Sequence, residues 1–281
     1  MNEVAKDPMP GFGVRRIGRV NARGLWTLYE KEVRRFLKVW LQTIAAPTMQ
    51  AVLFFLIFAV VLGGSNRVTT HVAYTQFLAP GLIVMALLQN AFANTSSSLI
   101  ISKVQGTLVD VLMPPLSPGE LVLGYVGGGV TRGLVIAAVL IAAFWALPMD
   151  TILLRHPWAI LYFGTAAAVM LSLIGLLTGI WAEKFDHVAT IGNFVIAPLT
   201  LLSGTFFSLD RLAARMGENG HWLEPVLGAN PFFYMIDGFR YGFIGEADSD
   251  LALGVVVILA IDLALWWLAY RVVDRGWRLK P

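Results

Sequence analysis

The side chains that could carry out acid–base or metal chemistry are few and widely separated in this sequence. The four histidines are scattered, mostly in predicted loops: His71, His156, His187 and His221. The sequence contains no G-x-x-x-x-G-K-[ST] phosphate loop, no H-E-x-x-H zinc motif and no G-x-S-x-G nucleophile elbow. These patterns predict a chain that is not an enzyme, with no catalytic residue, metal site or cofactor of its own.

Two charged residues, Arg132 and Asp262, lie inside long apolar segments. At 1.5 Å per residue from the nearer helix end, both lie roughly 14–17 Å deep. A charge at such depth in a bilayer is costly unless it has a partner or a wet cavity. We therefore expect Arg132 and Asp262 to approach each other. The alternative is that Arg132 binds carbonyl groups near Gly127–Gly129 while Asp262 faces a water pocket.

The composition predicts that these charges stand in a membrane. The 281 residues are 57% hydrophobic and 14% charged, with a mean hydropathy of +0.70, whereas soluble domains carry about 25% charged residues. The absence of cysteine excludes disulfides and cysteine metal sites. The net charge is +3. The positive residues lie next to apolar segments, where they act as membrane-topology signals and do not indicate nucleic-acid binding.

Six apolar runs approach the roughly 20 residues that cross a bilayer as a helix. They are Ile44–Leu62, Phe77–Ile101, Leu121–Leu147, Trp158–Trp181, Val188–Leu209 and Leu251–Tyr270. Barrel strands would be shorter and would alternate apolar with polar residues. The sequence therefore predicts an all-α, polytopic integral membrane protein. Gly124 and Gly127–Gly129 in the third run predict close helix packing.

The distribution of Lys and Arg predicts the orientation. Most of them precede the first span, follow the last or lie in the second and fourth loops. The positive-inside rule places both termini in the cytoplasm, as a multi-pass protein of the bacterial inner (plasma) membrane.

The segment before the first span divides into a basic tail and an amphipathic helix. Apolar residues recur at three- and four-residue steps, with charges between them: Leu25, Leu28, Tyr29, Val33, Phe36, Leu37, Trp40 and Leu41. This spacing predicts a helix in the cytoplasmic interface, or alternatively a solvated helix packed on its own protein. We assign residues 1–43 to this cytoplasmic segment and residues 44–281 to the six-helix transmembrane domain.

The long segment of residues 210–250, between the fifth and sixth spans, is unusually aromatic. The run Asn230–Tyr234 is too apolar for a water-exposed loop and too short to span. We expect a re-entrant or interfacial helical hairpin on the outer face. An ordinary aromatic belt is the alternative, although it would not explain the length of the segment.

The second loop carries a short amphipathic pattern. Leu108, Val111 and Leu112 form an apolar stripe, and Pro114 ends the predicted helix. Held between two spans, such a helix could insert into a groove on a soluble partner. The alternative is an interfacial helix without a partner.

Several motifs in order along the chain resemble the ABC-2 type permease family. They are Phe77–Ile83, Gly106–Leu108 with Leu112–Ser117, Ala197–Leu199 with Leu202–Ser208, and Asn230–Pro231 through Gly238–Gly242. The run Tyr125–Val130 before Arg132 is similar to one subgroup of that family. Together these motifs extend from the amphipathic arm to the last span.

The resemblance implies a membrane subunit that pairs with a second copy of itself and with two ABC ATPase subunits, which would bind ATP and Mg²⁺. It implies coupling to the ATPase through two cytoplasmic segments: Gln105, Gly106, Thr107, Leu108, Asp110, Leu112, Met113 and Pro114, and Glu183, Lys184, Phe185 and Asp186. Family members often have an acidic residue where this chain has Gln105, so no ion pair is expected there.

The resemblance also implies a substrate path at the dimer interface, lined by the second and fifth spans. The candidate residues are Asn90, Asn94, Thr95, Ser97, Ser98, Asn193, Thr200, Ser203 and Thr205. The alternative is that these side chains form hydrogen bonds between helices, worth roughly 0.6 kcal/mol each.

The function that we expect is ATP-driven export of a lipid, glycan or amphiphilic, drug-like compound. A secondary transporter or channel without an ATPase would need an internal repeat or a chain of ionisable residues across the membrane, and the sequence presents neither. An integral-membrane enzyme would need clustered catalytic groups, which the loops lack.

Overall fold

The computed structural model describes residues 20–62, 73–147, 152, 154–206 and 230–278, and no β-strand occurs within these ranges. The helices are α1 (Ala22–Lys38), α2 (Ala46–Leu62), α3 (Tyr74–Val104), α4 (Leu108–Leu112), α5 (Pro118–Trp145), α6 (Pro157–Trp181), α7 (Phe185–Ile191), α8 (Ala197–Thr200), α9 (Pro231–Ile244) and α10 (Leu251–Asp274). Three π-helical turns, Leu41–Ala45, Gly192–Ile196 and Leu201–Thr205, adjoin α2, α7 and α8.

Six segments are long and apolar enough to cross a membrane. They are Leu41–Val61, Tyr74–Val104, Pro118–Trp145, Pro157–Trp181, Phe185–Thr205 and Leu251–Asp274. The six predicted spans are confirmed, although the last four residues predicted for the fifth lie at or beyond the edge of the described residues. The all-α prediction is confirmed as well.

Helix α3 is the centre of the bundle, and α5 and α6 pack closely on it. Small residues allow this approach, as expected between membrane helices. A Cβ atom on Gly175 of α6 would lie 2.2 Å from Thr95 Oγ1 and 2.5 Å from the Phe92 carbonyl oxygen. On α5, a Cβ atom on Gly129 would lie 2.4 Å from Ser172 Oγ. The prediction that Gly124 and Gly127–Gly129 of α5 allow close helix packing is confirmed.

The fifth span is not one regular helix. It runs through α7, a π-helical turn, α8 and a second π-helical turn, and Gly204 in that last turn has φ +82°. Glycine is favoured there because residues that carry a side chain rarely adopt a backbone conformation with positive φ. The carbonyl of Thr205 approaches α3 so closely that a Cβ atom on Gly81 would lie 2.6 Å from its oxygen.

Helix α9 contains the aromatic run predicted to form part of an outer hairpin. Its residues Phe232–Arg240 are buried, and it packs on α6 and α3. The aromatic side chains therefore belong to the core of the bundle. Residues 207–229, which would form the other arm of the hairpin, lie outside the described residues, so the hairpin remains a prediction.

Replacing Gly175 with alanine should lower the stability of the bundle. The new methyl group meets the Phe92 backbone, which cannot rotate away, and overpacking of this kind costs roughly 1–3 kcal/mol. Thermal unfolding of the detergent-solubilised protein measures the loss. Gly119→Ala is the matched control, because its Cβ atom would lie 3.8 Å from the nearest atom, on Tyr270. Equal melting temperatures for the two variants would contradict the packing account.

Candidate coupling and transport site

The predicted coupling segment forms a tight connection between α3 and α5. Gln105 ends α3, Gly106 adopts φ +70°, and α4 follows at once. Leu108 is buried, and it packs with Val111 and Leu112 against the core of the same chain. The residues that face outward are Val109, which is 49% exposed, and Met113, which is 76% exposed.

The stripe of Leu108, Val111 and Leu112, which the sequence suggested could insert into a partner, packs in part on its own chain. Leu108 is buried, whereas Val111 and Leu112 are half-buried against the core, and the coupling role stays a prediction. An apolar stripe has the same spacing whether it faces its own core or a partner. The surface available to a partner is instead formed by Val109 and Met113 beside the exposed residues Gln105, Gly106, Thr107, Asp110 and Pro114.

The second predicted coupling segment lies close to the first. Lys103, two residues before Gln105, donates hydrogen bonds to the carbonyl oxygens of Ile180 and Ala182 at the end of α6. A cation there interacts favourably with the helix C-terminus. Glu183, Lys184, Phe185 and Asp186 follow immediately, and all four are exposed. The two segments therefore share one end of the bundle, the predicted cytoplasmic end.

The start of α1 is attached to the residues that directly follow the coupling segment. The Asn21 backbone N–H donates to the Glu120 carboxylate, and Asn21 Nδ2 donates to the Pro115 carbonyl oxygen at 3.2 Å. Glu120 also accepts from the Ser117 backbone N–H at 2.7 Å as part of a capping box. Between α1 and α4 lies a cavity of about 530 Å³ lined by Leu28, Lys31, Asp110, Val111 and other residues of both segments.

Helix α1 is held on the bundle by a buried ion pair. Glu32 has no exposed surface, and its carboxylate lies 3.1 Å from the Arg35 guanidinium. Ser98 Oγ of α3 donates to the other Glu32 oxygen at 2.7 Å. Arg35 in turn donates to the Asn94 carbonyl oxygen at 2.7 Å and to Ser97 Oγ at 3.2 Å. These contacts satisfy two charges that would be costly alone.

The glycines of α5 leave room for this helix. A Cβ atom on Gly128 would lie 2.5 Å from Glu32 Cβ, and one on Gly124 would lie 2.5 Å from a Leu28 methyl group. One face of α1 is thus packed on its own protein, which was the alternative considered from the sequence. Its other side exposes Trp26 and Leu37, and Trp40 beyond its end is exposed too; the position of these side chains in a membrane interface remains a prediction.

Arg132 bonds to an amide of α3, and the predicted ion pair with Asp262 is not formed. Arg132 Nη2 donates to Asn90 Oδ1 of α3 at 2.7 Å, and no ion pair between Arg132 and Asp262 is present among the described residues. The rotation of α5 directs Arg132 towards α3, a property that the residue's depth along the helix does not reveal. Asp262 Oδ1 accepts no hydrogen bond within the described residues.

Most of the predicted path residues are enclosed within the protomer. Asn90, Asn94, Thr95, Ser98, Thr200, Ser203 and Thr205 are buried, and Ser97 is half-buried. Some of their hydrogen bonds join different elements: Thr95 Oγ1 donates to the Ser172 carbonyl oxygen at 2.9 Å, and Asn230 Nδ2 donates to Ser203 Oγ at 2.8 Å. Thr200 and Thr205 instead donate to carbonyl oxygens within the fifth span. The alternative of helix–helix hydrogen bonding describes Asn90, Asn94, Thr95 and Ser98, and the path along the whole set stays a prediction. Asn193 alone in the predicted set is exposed.

Sequence reasoning missed Glu32, Arg35 and Gln50. The signal for Glu32 was present, because it lies four residues from both Leu28 and Phe36 and thus on the buried side of α1. Gln50 is an exposed amide near the middle of the first span. Within the described residues no group of three or more His, Asp or Glu is arranged to hold a metal ion.

Comparison with known proteins agrees with this geometry. The ABC-2 type transporter family matches residues 23–244, from α1 to the end of α9. The chain belongs to this family. It is 34% identical over 258 residues to the inner membrane transport permease YadH of Escherichia coli K12, which covers 91% of this chain and 96% of that protein.

Two more distant relatives belong to the same group of permeases. Nodulation protein J of Neorhizobium galegae is 24% identical over 190 residues, 65% of this chain and 66% of that protein. The probable multidrug ABC transporter permease YbhR of E. coli K12 is 26% identical over 191 residues, 66% of this chain and 48% of that protein. As an ABC-2 permease, the chain is a membrane subunit of an ABC transporter, whose family partners with ABC ATPase subunits.

Replacing Glu32 with leucine should destabilise this permease by roughly 3 kcal/mol. That is the low end of the about 3–5 kcal/mol lost when one partner of a buried pair is removed, because Arg35 retains 25% exposure. The double variant Glu32→Leu/Arg35→Met should recover most of the loss, since it leaves no unpaired charge. Thermal unfolding in detergent measures both effects.

The control is the exposed pair on the other side of the same helix. Glu30 pairs with Arg34, whose side chain is 71% exposed, so Glu30→Leu should change stability by less than about 1 kcal/mol. If Glu32→Leu and Glu30→Leu lowered the melting temperature equally, the buried pair would have no special role.

Proposed function

We propose that this ABC-2 permease is the membrane half of an ATP-driven exporter, working as a homodimer with two ABC ATPase subunits. Both termini and the two coupling segments face the cytoplasm, and the protein resides in the bacterial inner membrane. The observation that carries the proposal is the exposed pair of Val109 and Met113 on a short helix fixed between two spans. Apolar side chains in this position suit a groove on a soluble subunit.

Movement of α4 would reach the middle of the membrane through α1. The contacts of Asn21 tie the start of α1 to the loop after α4, and Glu32 and Arg35 tie its centre to α3. An ATPase that moves α4 would therefore also displace the polar contacts around Asn94. The permease would thus exchange between two conformations, before and after α4 moves. Cargo would shift the equilibrium between them only by the difference in its affinity for the two.

The proposed dimer face is formed by α2 and the fifth span. Both pack on α3, and they meet where Phe58 contacts Phe206, with ring centroids 5.0 Å apart. Their outer surfaces carry the exposed amides Gln50 and Asn193, nine and eight residues into their spans, or roughly 12–14 Å deep. Unsatisfied polar groups are costly in lipid, so this face suits a second copy or a polar path better than hydrocarbon.

The opposite face has the composition expected for lipid contact. Exposed positions along the membrane part of α10 include Leu253, Val256, Leu259 and Leu263, and the one charged residue among them in the sequence, Asp262, is half-buried. The π-helical turns fall on the proposed dimer face, at Gly192–Ile196 and Leu201–Thr205, and π-helical turns are frequent at functional sites. We place the cargo path there, beside Asn193.

The amphipathic character of this face suits an amphiphilic cargo. Amides at Gln50 and Asn193 stand among exposed apolar residues such as Leu53 and Phe194. A lipid, a glycan carried on a lipid or a drug-like compound would find both kinds of contact. The relative YbhR is named as a probable multidrug permease, which is compatible with this class of cargo.

Changing Val109 and Met113 to aspartate should abolish capture of the ATPase. The tagged protein would be purified from its native membrane, and a phosphate-loop ATPase identified by mass spectrometry. Two buried carboxylates at the contact should weaken association at least 100-fold, since each unpaired buried charge costs several kcal/mol. Both side chains are exposed, so the fold should survive, whereas Leu112 is half-buried against the core.

Leu154→Asp is the matched control, because Leu154 is 60% exposed and lies in the loop on the predicted outer side. It should retain the ATPase. If the parent protein captured no ATPase even after crosslinking, a secondary transporter or channel would replace the proposed function.

A cysteine at position 194 should crosslink two copies of the chain. The natural sequence has no cysteine, and Phe194 is 78% exposed on the proposed dimer face. We expect Phe194→Cys to form covalent dimers in membranes with a short bis-maleimide, while Leu259→Cys on α10 stays monomeric. Crosslinking of Leu259→Cys alone would move the dimer interface to α10.

A further inference from the structure

A lateral groove lies at the predicted cytoplasmic end, between α6 and α10 with the residues that follow it. Its volume is about 840 Å³, and it is lined by Leu177, Trp181, Trp267, Leu268, Arg271, Val272, Arg275 and Trp277. It is separate from the proposed dimer face and from the cavity between α1 and α4. Its lining divides into an apolar part and a basic part.

The apolar part is directed towards the bilayer. Trp267 and Leu268 are exposed on α10, the span with the smallest buried share of the six. Leu177 lies one turn before Trp181, where α6 ends. Together these side chains form a strip that runs from the hydrocarbon region towards the helix ends, where tryptophan commonly marks the membrane–water interface.

The basic part consists of two arginines one helical turn apart. Arg271 and Arg275 are exposed and share one side of the chain's last turn of helix. Among the described residues neither forms an ion pair with a carboxylate, Asp274 included. The Arg271 guanidinium lies over the Trp267 ring, 5.3 Å from its centroid, which joins the basic part to the apolar strip.

A third arginine fixes the end of the groove. Arg278 donates to the Trp181 carbonyl oxygen at 2.7 Å, pairs with Glu183 at 3.4 Å and stacks over Trp277. Its charge is thereby balanced, and it holds the segment after α10 against α6. The charges of Arg271 and Arg275 remain available for an external anion.

The geometry points to a binding site for an anionic glycerophospholipid of the cytoplasmic leaflet. Arg271 and Arg275 bind the phosphate, for which guanidinium groups are well suited, and the acyl chains lie along Leu177, Trp267 and Leu268. Basic pockets between membrane helices on this side are suited to anionic headgroups. A soluble acidic protein could reach the arginines but could not cover the apolar strip within the bilayer. This inference does not depend on the identity of the cargo.

Native mass spectrometry of the intact protein in detergent tests the site, with dioleoyl phosphatidylglycerol and dioleoyl phosphatidylcholine as probes. Arg271→Gln/Arg275→Gln should weaken phosphatidylglycerol binding roughly 10- to 30-fold, about fivefold for each arginine near the surface. Phosphatidylcholine binding should not change. Arg271→Lys/Arg275→Lys should retain most of the preference, because it preserves the charge.

The matched control is Arg23→Gln/Lys38→Gln, which removes two exposed cationic side chains of α1 that form no ion pair within the described residues, at the same end of the bundle. It should bind phosphatidylglycerol like the parent. Equal weakening in this control would show a general charge effect and overturn the site. Two other results would also overturn the site. Competition by inorganic phosphate would indicate an anion site that binds only the headgroup. Loss of ATPase capture in Arg271→Gln/Arg275→Gln, with lipid binding unchanged, would indicate a protein contact.

Discussion

The buried carboxylate of Glu32 constrains much of this structure. It has no exposed surface, so its charge requires Arg35 and the Ser98 hydroxyl at their observed places. Those partners fix α1 against α3, and the absence of a side chain at Gly128 lets α1 approach α5 closely enough. Because the start of α1 is also tied to Glu120 and Pro115, the coupling segment and the centre of the bundle belong to one network of contacts.

The elements of the fold could be predicted from the sequence because their signals are local. Each span is a run of apolar residues long enough to cross the bilayer, and the glycines of α5 indicate close packing. The direction in which a helical face points cannot be predicted from such local signals. The apolar stripe at Leu108 has the same residue spacing whether it contacts the core or a partner. Likewise, the depth of Arg132 along α5 does not reveal that this helix is rotated so that Arg132 faces Asn90.

The same distinction between local signals and the direction of a helical face applies to the residues of the candidate site. The exposed segments around Met113 and Phe185 were predicted through motifs, while the enclosure of Asn94 and Ser98 depends on where α1 docks. The exposed amides that lie deepest in the spans are Gln50 and Asn193, on spans that otherwise look suited to lipid. Their exposure is intelligible if α2 and the fifth span face another copy, and the π-helical turns give that face a backbone able to rearrange.

A distance measurement between two copies of the chain tests the account most directly. Spin labels on Phe194→Cys in the cysteine-free chain, reconstituted with its ATPase in nanodiscs, would be measured without nucleotide and after trapping with ATP and vanadate. The account predicts an intersubunit distance that changes by several ångströms between the two states, and no change when Val109 and Met113 are replaced by aspartate. An unchanged distance in the parent complex while ATP is hydrolysed would contradict coupling through this face.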